Sequence, residues 1–134
     1  MDQSSYLWWQ GCLEKGLKFL AAGDFVQAEE YFRLSFAEAE KLGVEVILAF
    51  SIRLLATAQL CNHKLDEAEA GFKKALSLCM QLNSNKGIAE AKAGLAGVAL
   101  ARGQYSEAES LYKQAIYFYP KNASSMRLAV LYSD

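Results

Sequence analysis

The segment Val26-Gln27-Ala28-Glu29-Glu30-Tyr31-Phe32-Arg33 returns twice along the chain. Its counterparts are Asp66-Glu67-Ala68-Glu69-Ala70-Gly71-Phe72-Lys73 and Ser106-Glu107-Ala108-Glu109-Ser110-Leu111-Tyr112-Lys113. Four columns agree at a spacing of 40 residues: alanine at 28, 68 and 108, glutamate at 29, 69 and 109, an aromatic at 32, 72 and 112, and a base at 33, 73 and 113. A fixed period of this size marks a repeat architecture. Alanine lets a neighbouring helix approach closely, and the aromatic four residues later fills the space beside it on the same face. Acid and base form (i, i+4) pairs in the favoured orientation, worth about 0.2–0.5 kcal/mol each. On spacing alone, these charges mark a solvated helix face.

A turn precedes each copy: Ala22-Gly23-Asp24, Asn62-His63-Lys64 and Arg102-Gly103-Gln104. Gly23 and Gly103 suit the left-handed residue that ends a helix. His63 stands in their column, and histidine tolerates positive φ better than most residues, so it or Asn62 is expected to adopt that conformation. Asp24 with Gln27 reads as an N-cap and its capping-box partner. Phe25, Leu65 and Tyr105 follow and can plug the helix–helix junction. Apolar-periodic helices lie upstream of the turns, at about 5–22, 45–62 and 86–102. The unit is helix, tight turn, helix, over approximately 5–42, 45–83 and 86–120. After Pro120, the amphipathic stretch at about 122–132, with Met126, Val130 and Leu131, reads as a seventh helix. The expected fold is all-α: an α-α superhelix of three repeats plus a C-terminal helix, with residues 1–134 in one domain.

Composition narrows the function. The 134 residues are 53% hydrophobic, enough for a core, and 14 bases against 15 acids leave a net charge of −1. That balance argues against nucleic-acid binding, which needs a basic surface to neutralise phosphates. The longest uncharged apolar stretch, Ala93–Ala101, falls well short of the roughly 20 residues that span a bilayer, and the start lacks the basic and apolar regions of a signal peptide. No membrane partner is expected. Cys12, Cys61 and Cys79 show no C-x-x-C spacing and lie in apolar helical patterns, so they read as small buried hydrophobes of a reducing, cytoplasmic protein. Phosphate-loop, zinc-protease and calcium-loop motifs are absent. Gly94 and Gly97 sit mid-helix, where they serve close packing. No catalytic residue, cofactor or metal site is expected, so the chain reads as a non-enzyme.

With these residues in hand, the chain resembles the tetratricopeptide repeat family. The first repeat shows Gly16, Phe19, Gly23-Asp24-Phe25, Ala28 and Phe32; the second Leu55-Ala56, Leu65, Ala68, Phe72 and Ala75; the third Leu95-Ala96, Gly103, Tyr105, Ala108, Tyr112, Ala115 and Pro120. Cys12, Ile52 and Lys92 replace the signature tryptophan, and His63 replaces the turn glycine. The 40-residue spacing exceeds the usual one and is similar to the kinesin-light-chain and spindle-adaptor branch. The resemblance implies a protein-interaction solenoid, an adaptor or scaffold, whose first helices line a concave groove.

Carried over position by position, the groove takes Gln10, Leu13, Leu17 and Leu20 from the first repeat. The second supplies Phe50, Arg53, Thr57, Leu60 and Cys61. The third supplies Glu90, Ala93, Gly97, Leu100 and Ala101. Leu13 and Leu17 stand where chaperone adaptors clamp a carboxylate, and the asparagine ladder of the longer-repeat branch is missing. The groove is therefore mostly apolar and suits an amphipathic helix or hydrophobic protein segment, with Arg53 giving an acidic preference. An alternative is a self-assembling solenoid. Tyr6, Trp8 and Trp9 crowd the first helix, while Tyr117, Phe118, Tyr119, Leu128, Val130 and Tyr132 crowd the end. Residues 1–42 carry 7 acids and 4 bases, residues 85–134 carry 4 acids and 6 bases. An antiparallel homodimer would match those ends.

Overall fold

The computed structural model describes residues 3–119, which form six α-helices and no strand. They are α1 (Gln3–Ala21), α2 (Phe25–Leu42), α3 (Glu45–Cys61), α4 (Leu65–Gln81), α5 (Asn85–Ala101) and α6 (Tyr105–Phe118). The expected helix at about 122–132 lies outside the described residues. Each helix packs on the next in sequence, and α3 also touches α5. The first helices of the repeats therefore stand in a row, with the second helices beside them. This is an all-α tetratricopeptide-like solenoid of helical pairs.

The turns repeat at the level of single hydrogen bonds. Asp24, Lys64 and Gln104 donate their backbone N–H to Phe19, Gln59 and Ala99 carbonyls at 2.8–2.9 Å, and the residue before each bonds a carbonyl three back. This double bond pattern closes a helix when the residue between is left-handed. Gly23, His63 and Gly103 have φ of 80°, 60° and 75°, so the histidine does occupy the glycine column. Asn83 (φ 55°) ends α4 in the same way, with Ser84 N–H bonding the Cys79 carbonyl at 2.9 Å. The Asp24 carboxylate accepts from the Gln27 N–H at 3.2 Å, as an N-cap should.

Ala28, Ala68 and Ala108 are all buried, as the repeat requires of helix-crossing positions. Phe32 and Phe72, four residues on from the first two, are fully buried. A Cβ built on Gly94 would lie 2.3 Å from the Phe72 ring, so α5 reaches α4 only because residue 94 has no side chain. Trp9, Leu13, Phe32 and Leu54 gather with small alanines into the largest core cluster. A second cluster, Ala56, Ala68, Phe72 and Val98, joins the second and third repeats.

The charge columns depart from expectation at Glu29, which is buried rather than solvated. Its carboxylate receives Lys64 Nζ and Asn62 Nδ2 at 2.9 Å each, besides the Arg33 guanidinium. Burial alone would raise this carboxyl, but the Lys64 and Asn62 hydrogen bonds, with the Lys64 and Arg33 charges, hold it below the usual glutamate range. Glu69 repeats the arrangement one unit later, pairing with Arg102 at 3.1 Å and with Lys73 at 3.6 Å. The acid column therefore bridges successive repeats as well as supporting its own helix.

Candidate functional site

Residues spaced by one repeat fall on equivalent turns of α1, α3 and α5, the three helices of the row. Gln10, Phe50 and Glu90 form one rank, Leu13, Arg53 and Ala93 the next, then Leu17, Thr57 and Gly97, then Leu20, Leu60 and Leu100. Their side chains meet different fates. Leu13 is buried in the Trp9 cluster, and Leu20 is half-buried against it. Leu60 is half-buried against the Phe72 cluster. Leu17 and Phe50 are exposed. Thr57 is half-buried, and its Oγ1 donates to the Arg53 carbonyl at 2.8 Å. Gln10, Cys61, Ala93, Gly97 and Leu100 are half-buried, and Ala101 is exposed.

Arg53 and Glu90 meet as an ion pair at 2.9 Å, and the guanidinium also lies 5.3 Å from the centroid of the Phe50 ring. The expected acidic preference of Arg53 is thus already matched from within the chain. Beside this pair opens a cavity of about 500 Å³ between α3, the end of α4 and the start of α5. Val46, Ala49, Phe50, Cys79, Leu82 and Gly87 supply its apolar lining, and Lys86 supplies a further cation. Arg53 and Glu90 line it as well, so that with Phe50 three of its lining residues belong to the ranks derived from sequence. A second cavity, of about 340 Å³, lies on α5 and α6 around Leu100, Tyr105 and Ile116.

The aromatics proposed for self-association also divide. Trp8 is 56% exposed and Tyr117 83% exposed, but Trp9 is buried, its Nε1 donating to Ser51 Oγ at 2.7 Å. Trp9 therefore serves the core and offers no surface. Tyr6 is half-buried against Trp9, with ring centroids 5.5 Å apart, and Tyr119 is half-buried. Leu128, Val130 and Tyr132 lie outside the described residues.

Among the described residues, no group of three His, Cys, Asp or Glu side chains gathers to hold a metal. Burial pushes the thiols of Cys12, Cys61 and Cys79 up, away from the reactive thiolate. His63 is exposed in its turn. No described helix is long and apolar enough to cross a membrane.

Helical pairs joined by matching turns, with alanine and aromatic columns at their crossings, find their counterpart in a known family: the model of the tetratricopeptide repeat matches residues 47–121, over half of the chain. The chain belongs to the tetratricopeptide repeat family. The match runs from α3 through α6, the second and third repeats. No curated protein matches the sequence. Tetratricopeptide repeats generally mediate protein–protein interaction.

Proposed function

We propose that this tetratricopeptide repeat chain is a non-catalytic adaptor or scaffold that binds a protein segment along the row formed by α1, α3 and α5. The observation that carries this reading is the exposure of Leu17 and Phe50, large apolar side chains on the row rather than in the core. Thr57, Ala93 and Gly97 are small residues of the same row, and the Arg53–Glu90 pair lies beside Phe50. Such a surface favours an amphipathic helix or hydrophobic segment over a highly charged extended tail. The 40-residue period supports the longer-repeat branch similar to kinesin light chains, and the three free cysteines suit a reducing cytoplasm.

The test is affinity capture followed by reconstitution with the purified partner. Leu17→Asp changes an exposed side chain and should weaken binding at least tenfold without lowering helicity. Added salt should weaken it only partly, because apolar contact is not screened. A partner held through a free C-terminal carboxylate, or one indifferent to Leu17→Asp, would refute the reading.

A second reading, self-assembly into a two-fold dimer, is favoured by the exposure of Trp8 and Tyr117 near opposite ends of the described chain. Light scattering over a wide concentration range separates the two. A dimer that Trp8→Glu or Tyr117→Glu dissociates supports assembly; one unchanging monomer mass excludes it.

A further inference from the structure

Eight of the nine glycines have a use within the chain. Gly23, Gly43 and Gly103 sit at positive φ where helices end. Gly16, Gly71, Gly87, Gly94 and Gly97 let a neighbour approach, since a Cβ on any of them would lie 2.3–3.0 Å from another side chain. Gly11 has neither reason. It stands inside α1 without a positive φ, and a Cβ there would meet nothing within 4 Å. Glycine weakens a helix interior relative to alanine, and nothing inside the fold offsets that loss.

The surface around Gly11 is an open helix face. Leu7 and Trp8, 58% and 56% exposed, stand four and three residues before it. Glu14, Lys15 and Lys18, all exposed, stand three, four and seven residues after it. These offsets place the six on one stripe of α1. The counterparts of Gly11 in α3 and α5 are Ser51 and Ala91, both small and fully buried, and Ala91 clusters with Ala75 of the preceding helix. Position 11 is thus a helix-crossing position that no described helix crosses. The charged end of the stripe shows that a further repeat is not what fits. Lys18 holds the column of Ala58 and Val98, at most 1% exposed, and Glu14 that of the buried Leu54. A repeat stacked there in the same way would bury both charges.

We propose that this stripe takes the same stripe of a second copy, two α1 helices crossing antiparallel at Gly11 about a two-fold axis. The stripe is self-complementary in that arrangement: the apolar end of one copy, Leu7 and Trp8, lies along the charged end of the other. Side chains lean toward the N-terminus of their own helix, so Trp8 and the partner subunit's Lys18 lean toward each other. The ammonium then sits on the indole face and the lysine stem covers apolar surface. Lys15 is already engaged, 5.6 Å from the Tyr31 ring centroid. The helix dipoles also oppose each other, whereas a parallel crossing would set Lys18 on Lys18 and Glu14 on Glu14. Glu14 works against the antiparallel pair, its two copies flanking the axis about 9 Å apart along the helix. One helix face is a fraction of the roughly 20–30 residues a side of a standard interface, so the dimer is weak and reversible. The proposal rests on the self-assembly reading and places the interface on α1 alone, leaving Tyr117 and Leu17 outside it.

The test uses the full chain. Sedimentation over a wide concentration range should show monomer and dimer and nothing larger. Gly11→Ala should raise the thermal midpoint of the dilute monomer yet weaken dimerisation at least fivefold, a split that a merely structural glycine would not give. Gly11→Gln and Trp8→Glu should abolish the dimer, and Glu14→Gln should tighten it at least threefold. The open space at the Gly11 Cβ lets the Gly11 variants fold, which circular dichroism checks. Cross-linking reads position and direction. Under mild oxidation Gly11→Cys should join two chains through that residue, since a disulfide needs Cα atoms within about 7 Å, and Lys18→Cys should not join to itself. Peptide mapping separates such a link from any through Cys12, Cys61 or Cys79. A dimer that Gly11→Gln leaves intact, or that Lys18→Cys links as readily as Gly11→Cys, would overturn the proposal. The two readings fail separately. A dimer dissociated by Tyr117→Glu but not by Gly11→Gln keeps self-assembly and removes the α1 crossing. One monomer mass at every concentration ends both.

Discussion

The indole of Trp9 in α1 donates its proton to Ser51 Oγ in α3, 42 positions away in sequence and 2.7 Å away in space. Ser51 Oγ in turn donates to the Ile47 carbonyl at 2.8 Å, so one hydroxyl serves both helices. This bond ties the first repeat to the second inside the main core. Ser51→Ala would leave a buried indole N–H without a partner, at a cost of about 1–3 kcal/mol. Trp9→Phe removes the donor itself and leaves Ser51 bonded to its own helix, so the loss of the hydrogen bond proper should be smaller. Urea unfolding of both variants measures the difference. An unchanged midpoint for Ser51→Ala would mean that the bond contributes nothing.

Glu29 should make stability depend on acid pH. Its carboxyl lies below the usual range in the folded chain, so the stabilisation is fully present above the unfolded value of about 4.3 and is lost as pH falls through the folded value. The urea midpoint of the wild type should therefore fall below about pH 4 more steeply than that of Glu29→Gln. Glu29→Gln should already be less stable at neutral pH, because Lys64 and Arg33 lose their counter-charge. Parallel pH profiles for the two proteins would show that the pairing adds no stability.

Gly94→Ala tests the approach of α5 to α4. The new methyl would meet the Phe72 ring at 2.3–2.6 Å, and Phe72 is itself fully buried. Overpacking of this kind costs about 1–3 kcal/mol. Thermal unfolding followed by circular dichroism should show a lowered midpoint with helicity at low temperature retained.

His63 tests the turn. At φ 60° it holds a conformation that glycine adopts without strain. His63→Gly should be neutral or stabilise by up to about 1 kcal/mol, the left-handed strain outweighing the entropy glycine loses. His63→Val should destabilise, since a β-branched side chain is a genuine outlier there. Loss of partner binding on His63→Gly would instead give the histidine a functional role.

Much of the fold was legible because its cause is local or periodic. Ala28, Ala68 and Ala108 repeat because each marks a crossing that only a small residue fits, and the turns at 23, 63 and 103 repeat because a helix must stop there. Even His63 was readable, since its column, not its identity, fixed its conformation. The end of the second repeat at 83 was read from sequence, and the left-handed conformation of Asn83 (φ 55°) follows the column of Gly43 (φ 69°), one repeat earlier. Sequence mapping named Leu13 and Trp9 as surface groups and passed over Ala49, because a helical position alone does not say which neighbour covers it.

What the sequence determined by itself is the repeat: a period of 40 residues, helix–turn–helix units and the columns that let them stack. What only the tertiary structure decided is how each copy of a column is used. Glu29 and Glu109 each carry a base at (i, i+4), Arg33 and Lys113, yet the Glu29 side chain is 6% exposed and that of Glu109 is 70% exposed. The first receives Asn62 and Lys64 from the following repeat; among the described residues no repeat follows α6 to do the same for the second. Trp9 and Ala49 divide in the same way, one bonded to Ser51 across its interface and the other buried with Cys79 and Ile88. A residue's own helix sets its direction, but burial and charge pairing depend on what the next repeat places against it, and those partners stand 33 to 42 residues away.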